Sequence, residues 1–116
     1  MNNKLNLAAF GLMLTFATPA LAKLPVDLSA PSSAKPGSTV SVKVKTEKGA
    51  TCKIEAQDAG FTQALNLTDR KANKLGFATW RFKIPKDYKA NEMPVTVTVD
   101  KNGDVEKGIK AITISK

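Results

Sequence analysis

The chain contains no histidine and only one cysteine among its 116 residues. The first absence removes every Ser-His-Asp or Cys-His catalytic centre and every metal site built on imidazole. The second removes an internal disulfide and any zinc site of four thiolates or mixed Cys/His. Aromatic residues are scarce, with one Trp and one Tyr, and acidic residues are outnumbered, 10 against 18 Lys+Arg. One Trp and one Tyr make a poor stacking platform for bases, which disfavours nucleic acid as a partner in spite of the positive charge. The acids are scattered. Asp58, Asp69 and Asp104 have no partner motif of the kind a paired-carboxylate hydrolase or an Asp-x-Asp calcium loop presents. No cofactor and no metal is expected. Asn66-Leu67-Thr68 fits a glycosylation acceptor, a pattern without weight in a bacterial chain.

What is present begins with a leader. Lys4 is the sole charge of residues 1–22, Leu5 to Ala17 is an apolar run, Pro19 ends it, and Ala20-Leu21-Ala22 has the small-x-small form of a cleavage site. The run is shorter than the roughly 20 apolar residues of a membrane-crossing helix. Lys23 stands where a lipoprotein would need cysteine. The expectation is export to the periplasm or the outside of a bacterium, with cleavage after Ala22 and residues 23–116 as one domain. Removing the leader takes one lysine and no acid, so the exported chain stays strongly basic.

From there apolar residues recur at every second position, the period of half-buried strands. Val26 and Leu28 open the series. Val40, Val42 and Val44 share one face; Cys52, Ile54 and Ala56 another; Leu65 and Leu67 suggest a short strand. Ala78, Trp80, Phe82 and Ile84 follow, then Val95, Val97 and Val99. Asn102-Gly103 between two alternating runs predicts a hairpin with a type I′ turn, because both residues tolerate positive φ. In the last run the parity slips between Ile109 and Ile112, which predicts a bulge at Gly108. Asp69 to Leu75 reads as a polar loop, and no segment after the leader has a helical period. About seven short strands bury one face each most simply in an all-β antiparallel sandwich of two sheets, with a closed barrel as the alternative.

Four segments carry a resemblance: Lys35-Pro36-Gly37-Ser38-Thr39-Val40, Gly49-Ala50-Thr51-Cys52-Lys53-Ile54, Gly76-Phe77-Ala78-Thr79-Trp80 and Pro94-Val95-Thr96-Val97. With their Pro-Gly turn, Gly-Ala-x-Cys-x-Ile strand and Gly-x-x-x-Trp strand, they resemble bacterial immunoglobulin-like domains of exported and surface proteins. The resemblance spans nearly all of residues 25–116. It implies an immunoglobulin-like sandwich and a non-catalytic adhesion, binding or spacer role.

Cys52, Trp80 and Phe82 take inward parity and are expected in the core. The other readings are a reactive thiol or an intermolecular disulfide for Cys52, and an exposed anchor for a partner or a sugar ring for Trp80. Lys43, Lys45, Lys53, Arg81 and Lys83 take outward parity, while Arg70, Lys71 and Lys74 cluster in one loop. If these strands share a sheet, their cations form one positive face that gathers anions. The plainer reading is that outward lysines keep edges apart and the protein dissolved. The expected function is binding to another envelope protein or an anionic envelope polymer, through loops, a sheet edge or the lysine face. The alternative is a secreted inhibitor that fills the cleft of a peptidase or other enzyme with its loops, although neither Asp58-Ala59-Gly60-Phe61 nor Pro85-Lys86-Asp87-Tyr88 matches a known inhibitor loop motif.

Overall fold

The computed structural model describes residues 24–116, so the expected leader and its cleavage site lie outside the described residues. Chain order runs β1 (Asp27–Ser29), β2 (Ser33–Ala34), β3 (Thr39–Lys45), β4 (Thr51–Ala56), α1 (Ala59–Ala64), β5 (Arg70–Lys71), β6 (Phe77–Lys83), β7 (Glu92–Lys101) and β8 (Asp104–Ile114). The strands make two sheets, a three-stranded one ordered β1-β3-β6 and a five-stranded one ordered β2-β8-β7-β4-β5. The architecture is an all-β, immunoglobulin-like two-sheet sandwich.

Strict alternation decides the layers. In β3, Val40, Val42 and Val44 are buried while Thr39, Ser41, Lys43 and Lys45 are exposed. β6 repeats this with Ala78, Trp80 and Phe82. Facing them from the second sheet are Cys52, Ile54 and Ala56 of β4, Met93, Val95, Val97 and Val99 of β7, and Ile112 and Ile114 of β8. Trp80 fills the centre, and its indole N–H donates to the Thr68 carbonyl (2.8 Å), so its polar edge is satisfied within the core. At about 25 cal/mol per Å² of apolar surface removed from water, this two-sided core is the main stabilising term.

Two turns need backbone that ordinary residues avoid. Gly76 has φ +87°, and a Cβ there would run into the Thr46 carbonyl oxygen. That close approach lets Thr46 N–H donate to Gly76 O (2.7 Å) and ties the end of β3 to the start of β6. Asn102 (φ 54°) and Gly103 (φ 88°) form the expected tight hairpin turn between β7 and β8.

Four expectations are corrected. Leu65 and Leu67 are not a strand. Asp58 accepts from Phe61 N–H (2.8 Å) and caps α1, a six-residue helix that Leu65 closes. Thr62 is buried, with its hydroxyl accepting from Ala56 N–H (2.9 Å) and donating to the Asp58 carbonyl (2.7 Å). Two apolar residues with a single spacer cannot distinguish strand from helix end. Within the expected loop, Arg70 and Lys71 form β5 at the edge of the five-stranded sheet, opposite Cys52 and Thr51. Ser33 and Ala34 form β2, which runs parallel to β8, so that one pairing departs from the antiparallel pattern. Finally, β7 and β8 keep an unbroken register from Glu92↔Thr113 to Lys101↔Asp104, with no bulge at Gly108. The parity slip has another cause: Ile109 faces outward, 70% exposed, and Gly108 lies beneath β1 with Val26 and Leu28 against it.

Candidate functional site

The antiparallel register of β3 and β6 sets Lys45 opposite Phe77, Lys43 opposite Thr79, Ser41 opposite Arg81 and Thr39 opposite Lys83. All eight sit on the outward face of the three-stranded sheet, so Lys43, Lys45, Arg81 and Lys83 share one surface. Lys43 Nζ lies 4.8 Å and Lys45 Nζ 5.4 Å from the centre of the Phe77 ring. The electron-rich face of a ring attracts cations, so Phe77 draws two ammonium groups together that would otherwise repel. Thr39, Ser41 and Thr79 add hydroxyls between the cations. The outward carboxylate on this sheet is Asp27 of β1, opposite Lys45 at its margin. Among the described residues the one ion pair within 4.0 Å joins Lys101 to Glu47 (2.8 Å), away from this face.

The remaining basic candidates divide. Lys53 points outward from the other sheet and lies beside Glu55, Asp69, Thr96, Thr98 and Lys107, a surface of mixed charge. Arg70 takes the inward parity of Cys52, yet it is exposed because β5 is the edge strand. With Lys71 it lines a shallow depression against Phe77 and Thr79, so both extend the basic face around its β6 edge. Lys74 sits in the turn that Asn73 organises, where Asn73 Oδ1 accepts from the N–H groups of Leu75 and Phe77 (2.9 and 3.0 Å). Lys74 flanks Lys48 and Lys101 at one end of the sandwich and does not join the face.

Phe77 was not among the candidates read from sequence. Its outward parity between Gly76 and Ala78 was the available signal.

Cys52 is fully buried, and burial pushes its thiol pKa above the ordinary value, against a smaller opposing influence from the Ala72 backbone. Trp80 and Phe82 are buried beside it in the core. Tyr88 is raised as well, first by burial and then by the charge of Asp58. Its hydroxyl donates to Gln57 Oε1 (2.6 Å) and lies 3.0 Å from the Glu92 carbonyl, while its ring meets Phe61 edge-on at 5.6 Å. Asp58–Phe61 is thus the capped first turn of α1, and Tyr88 is fastened against it. Among the described residues no group of three or more cysteine, aspartate and glutamate side chains converges, and no helix is long and apolar enough to cross a membrane.

No family model matches this chain, and no curated protein matches it. Among solved structures, the sulfur carrier protein SoxY from Chlorobium limicola f thiosulfatophilum is similar. The two are 17% identical over 78% of this chain and 79% of that one, with a TM-score of 0.54. The likeness is one of fold.

Proposed function

We propose that this chain is an exported, non-catalytic binding module of the bacterial envelope that holds an anionic partner against the outward face of its three-stranded sheet. The partner is an anionic envelope polymer or an acidic envelope protein. One observation carries the reading: Lys43, Lys45, Arg81 and Lys83 share a hydrogen-bonded sheet face, and none has a carboxylate within ion-pair distance among the described residues.

Unpaired cations on one surface raise the local concentration of anions and steer their approach. A sheet fixes the spacing of the four stems, so less backbone freedom is lost on binding than in a loop. The hydroxyls of Thr39, Ser41 and Thr79 can donate to phosphate, sulfate or carboxylate oxygens lying between the cations. Arg70 and Lys71 continue the field at the β6 edge. The leader-like residues 1–22 and the resemblance to bacterial immunoglobulin-like domains support export and a binding role. SoxY carries sulfur, and carriage on cysteine needs an accessible thiolate. The one cysteine here is buried with a raised pKa, so the likeness supports the fold and not the cargo.

The test is retention on immobilised heparin, a generic polyanion, in a salt gradient. A variant with Lys43, Lys45, Arg81 and Lys83 changed to Gln is compared with one in which Lys48, Lys53, Lys86 and Lys89 are changed to Gln. Both lose the same charge. The proposal expects the first to elute at much lower salt than the second. Equal losses would make retention a matter of net charge and remove the face as a site.

A further inference from the structure

The far edge of the five-stranded sheet offers a second, independent surface. β8 is an eleven-residue strand, yet β2 covers its outer edge only at Thr113 and Ile114. Strand alternation says which groups that leaves open. Ile114 N–H donates to Asn91 O on the β7 side, whereas Thr113 N–H donates to Ser32 O and Ser115 N–H to Ala34 O on the outer side. Odd-numbered residues of β8 therefore turn their backbone groups outward. Those of Val105, Lys107, Ile109 and Ala111 meet no strand among the described residues. Their side chains lie on the outer face, where Val105 is 50% and Ile109 70% exposed. A row of free N–H and C=O groups beside exposed apolar side chains is a template for another strand.

We infer that the β8 edge pairs with the β8 edge of a second copy of this chain, antiparallel and two-fold about Gly108. Self-complementarity selects this occupant and register. A two-fold axis at Gly108 sets Glu106 of each copy opposite Lys110 of the other, Val105 opposite Ala111, and Lys107 opposite Ile109, whose methyls its aliphatic stem can cover. Centring the pair on Lys107 would set Asp104 opposite Lys110 and Val105 opposite Ile109, but it would stack Lys107 on its own copy in a hydrogen-bonded pair at the axis and leave Glu106 opposite Gly108. Centring on Ile109 would set Glu106 opposite Ile112 and leave Lys110 opposite Gly108. Parallel pairing in register would stack every charge on its like. At the axis Gly108 has no side chain, and its inner side is already filled by Val26 and Leu28 of the same chain. β2 at Thr113 ends the free edge, which confines the pairing to about the span from Val105 to Ala111. The dimer leaves both lysine faces uncovered, since β6 lies at the opposite side of the three-stranded sheet from β1, the strand that contacts β8.

Sedimentation equilibrium of the purified protein over a range of concentrations tests this, using a charge-reversal cycle. The wild type forms a dimer. Glu106→Lys and Lys110→Glu each turn two cross-strand attractions into repulsions and weaken the dimer by about tenfold. The double variant Glu106→Lys/Lys110→Glu restores the attraction in reversed sense and returns affinity towards wild type. Ile109→Lys, on the outer face, also shifts the protein towards monomer. Near-ultraviolet circular dichroism from the buried Trp80 reports that each variant is folded. A wild type that stays monomeric at millimolar concentration overturns the inference. So does a double variant no tighter than the single ones, or a dimer that none of the substitutions weakens.

Discussion

β6 and β8 are both long strands of the sandwich, and they treat their two faces differently. In β6 the inward Ala78, Trp80 and Phe82 are buried, and Thr79, Arg81 and Lys83 between them are exposed. In β8 the inward parity holds only at Ile112 and Ile114; nearer the turn it carries Glu106, Gly108 and Lys110, while Val105 and Ile109 face out. The difference follows from what lies opposite. β6 lies on the β5 side of the five-stranded sheet, where its inward side chains join the buried core, so every inward position has partners to bury against. The first half of β8 faces β1, where Val26 and Leu28 come so close that a Cβ at position 108 would fit only if Val26 shifted. Alternation thus records how much side-chain room the opposing sheet leaves. Where β1 crowds β8 that room is small, and the apolar residues Val105 and Ile109 turn outward instead.

Several experiments break or sharpen that contrast. Trp80→Ala opens a large cavity between the sheets and should lower unfolding free energy by about 3–5 kcal/mol. Ile109→Ala, studied in dilute solution, should stay within about 0.5 kcal/mol. Denaturant titration reads both, and comparable losses would contradict the asymmetry. Gly76→Ala forces a Cβ onto the Thr46 carbonyl at a positive φ, for a loss of about 3 kcal/mol or more. Gly103→Ala also strains a positive φ but meets open space, so about 1–2 kcal/mol is expected. Gly108→Ala brings its Cβ to 2.9 Å from Val26 Cγ1 and 3.3 Å from Leu28 Cβ. Val26 can swing aside, and a loss of about 1–2 kcal/mol would show how firmly β1 seals β8.

The smallest effect is on alkaline stability. Folding raises the pKa of Cys52 and Tyr88, chiefly by burial, so the native state holds these protons after the unfolded chain has released them. Stability is then unaffected below the unfolded pKa values and falls as pH rises through 9.0 for the thiol and 10.0 for the phenol. Cys52→Ala should flatten the first part of that decline in denaturant titrations across the range. An unchanged slope would mean that the thiol ionises as readily in the fold as outside it.

Much of the sandwich could be read from residue order, for physical reasons that also explain the misses. β3, β4, β6 and β7 bury one full face, and the apolar residue at every second position reports it. Asn102-Gly103 announced its hairpin because few other pairs accept two positive φ angles. The two-residue strands β2 and β5 were illegible, since their identity lies in distant partners, Thr113 and Ile114 for one and Thr51 and Cys52 for the other. α1 is too short for a helical period, and its Asp58 cap is the only local sign. For the candidate site, outward parity was legible but sheet membership was not. Lys43, Lys45, Arg81 and Lys83 come together through the β3–β6 register, while the same parity places Lys53 on the opposite sheet.

The most direct test of the basic face is an NMR titration of the labelled protein with a heparin oligosaccharide, following backbone amides and lysine and arginine side chains. The shifts should concentrate on Thr39 to Lys45 and Phe77 to Lys83, with weaker changes at Arg70 and Lys71, and they should fade as salt is raised because exposed charge attraction is screened within about 10 Å at 0.1 M. Shifts centred on Lys53 and Lys107, or spread evenly over every lysine, would contradict a site on the three-stranded sheet.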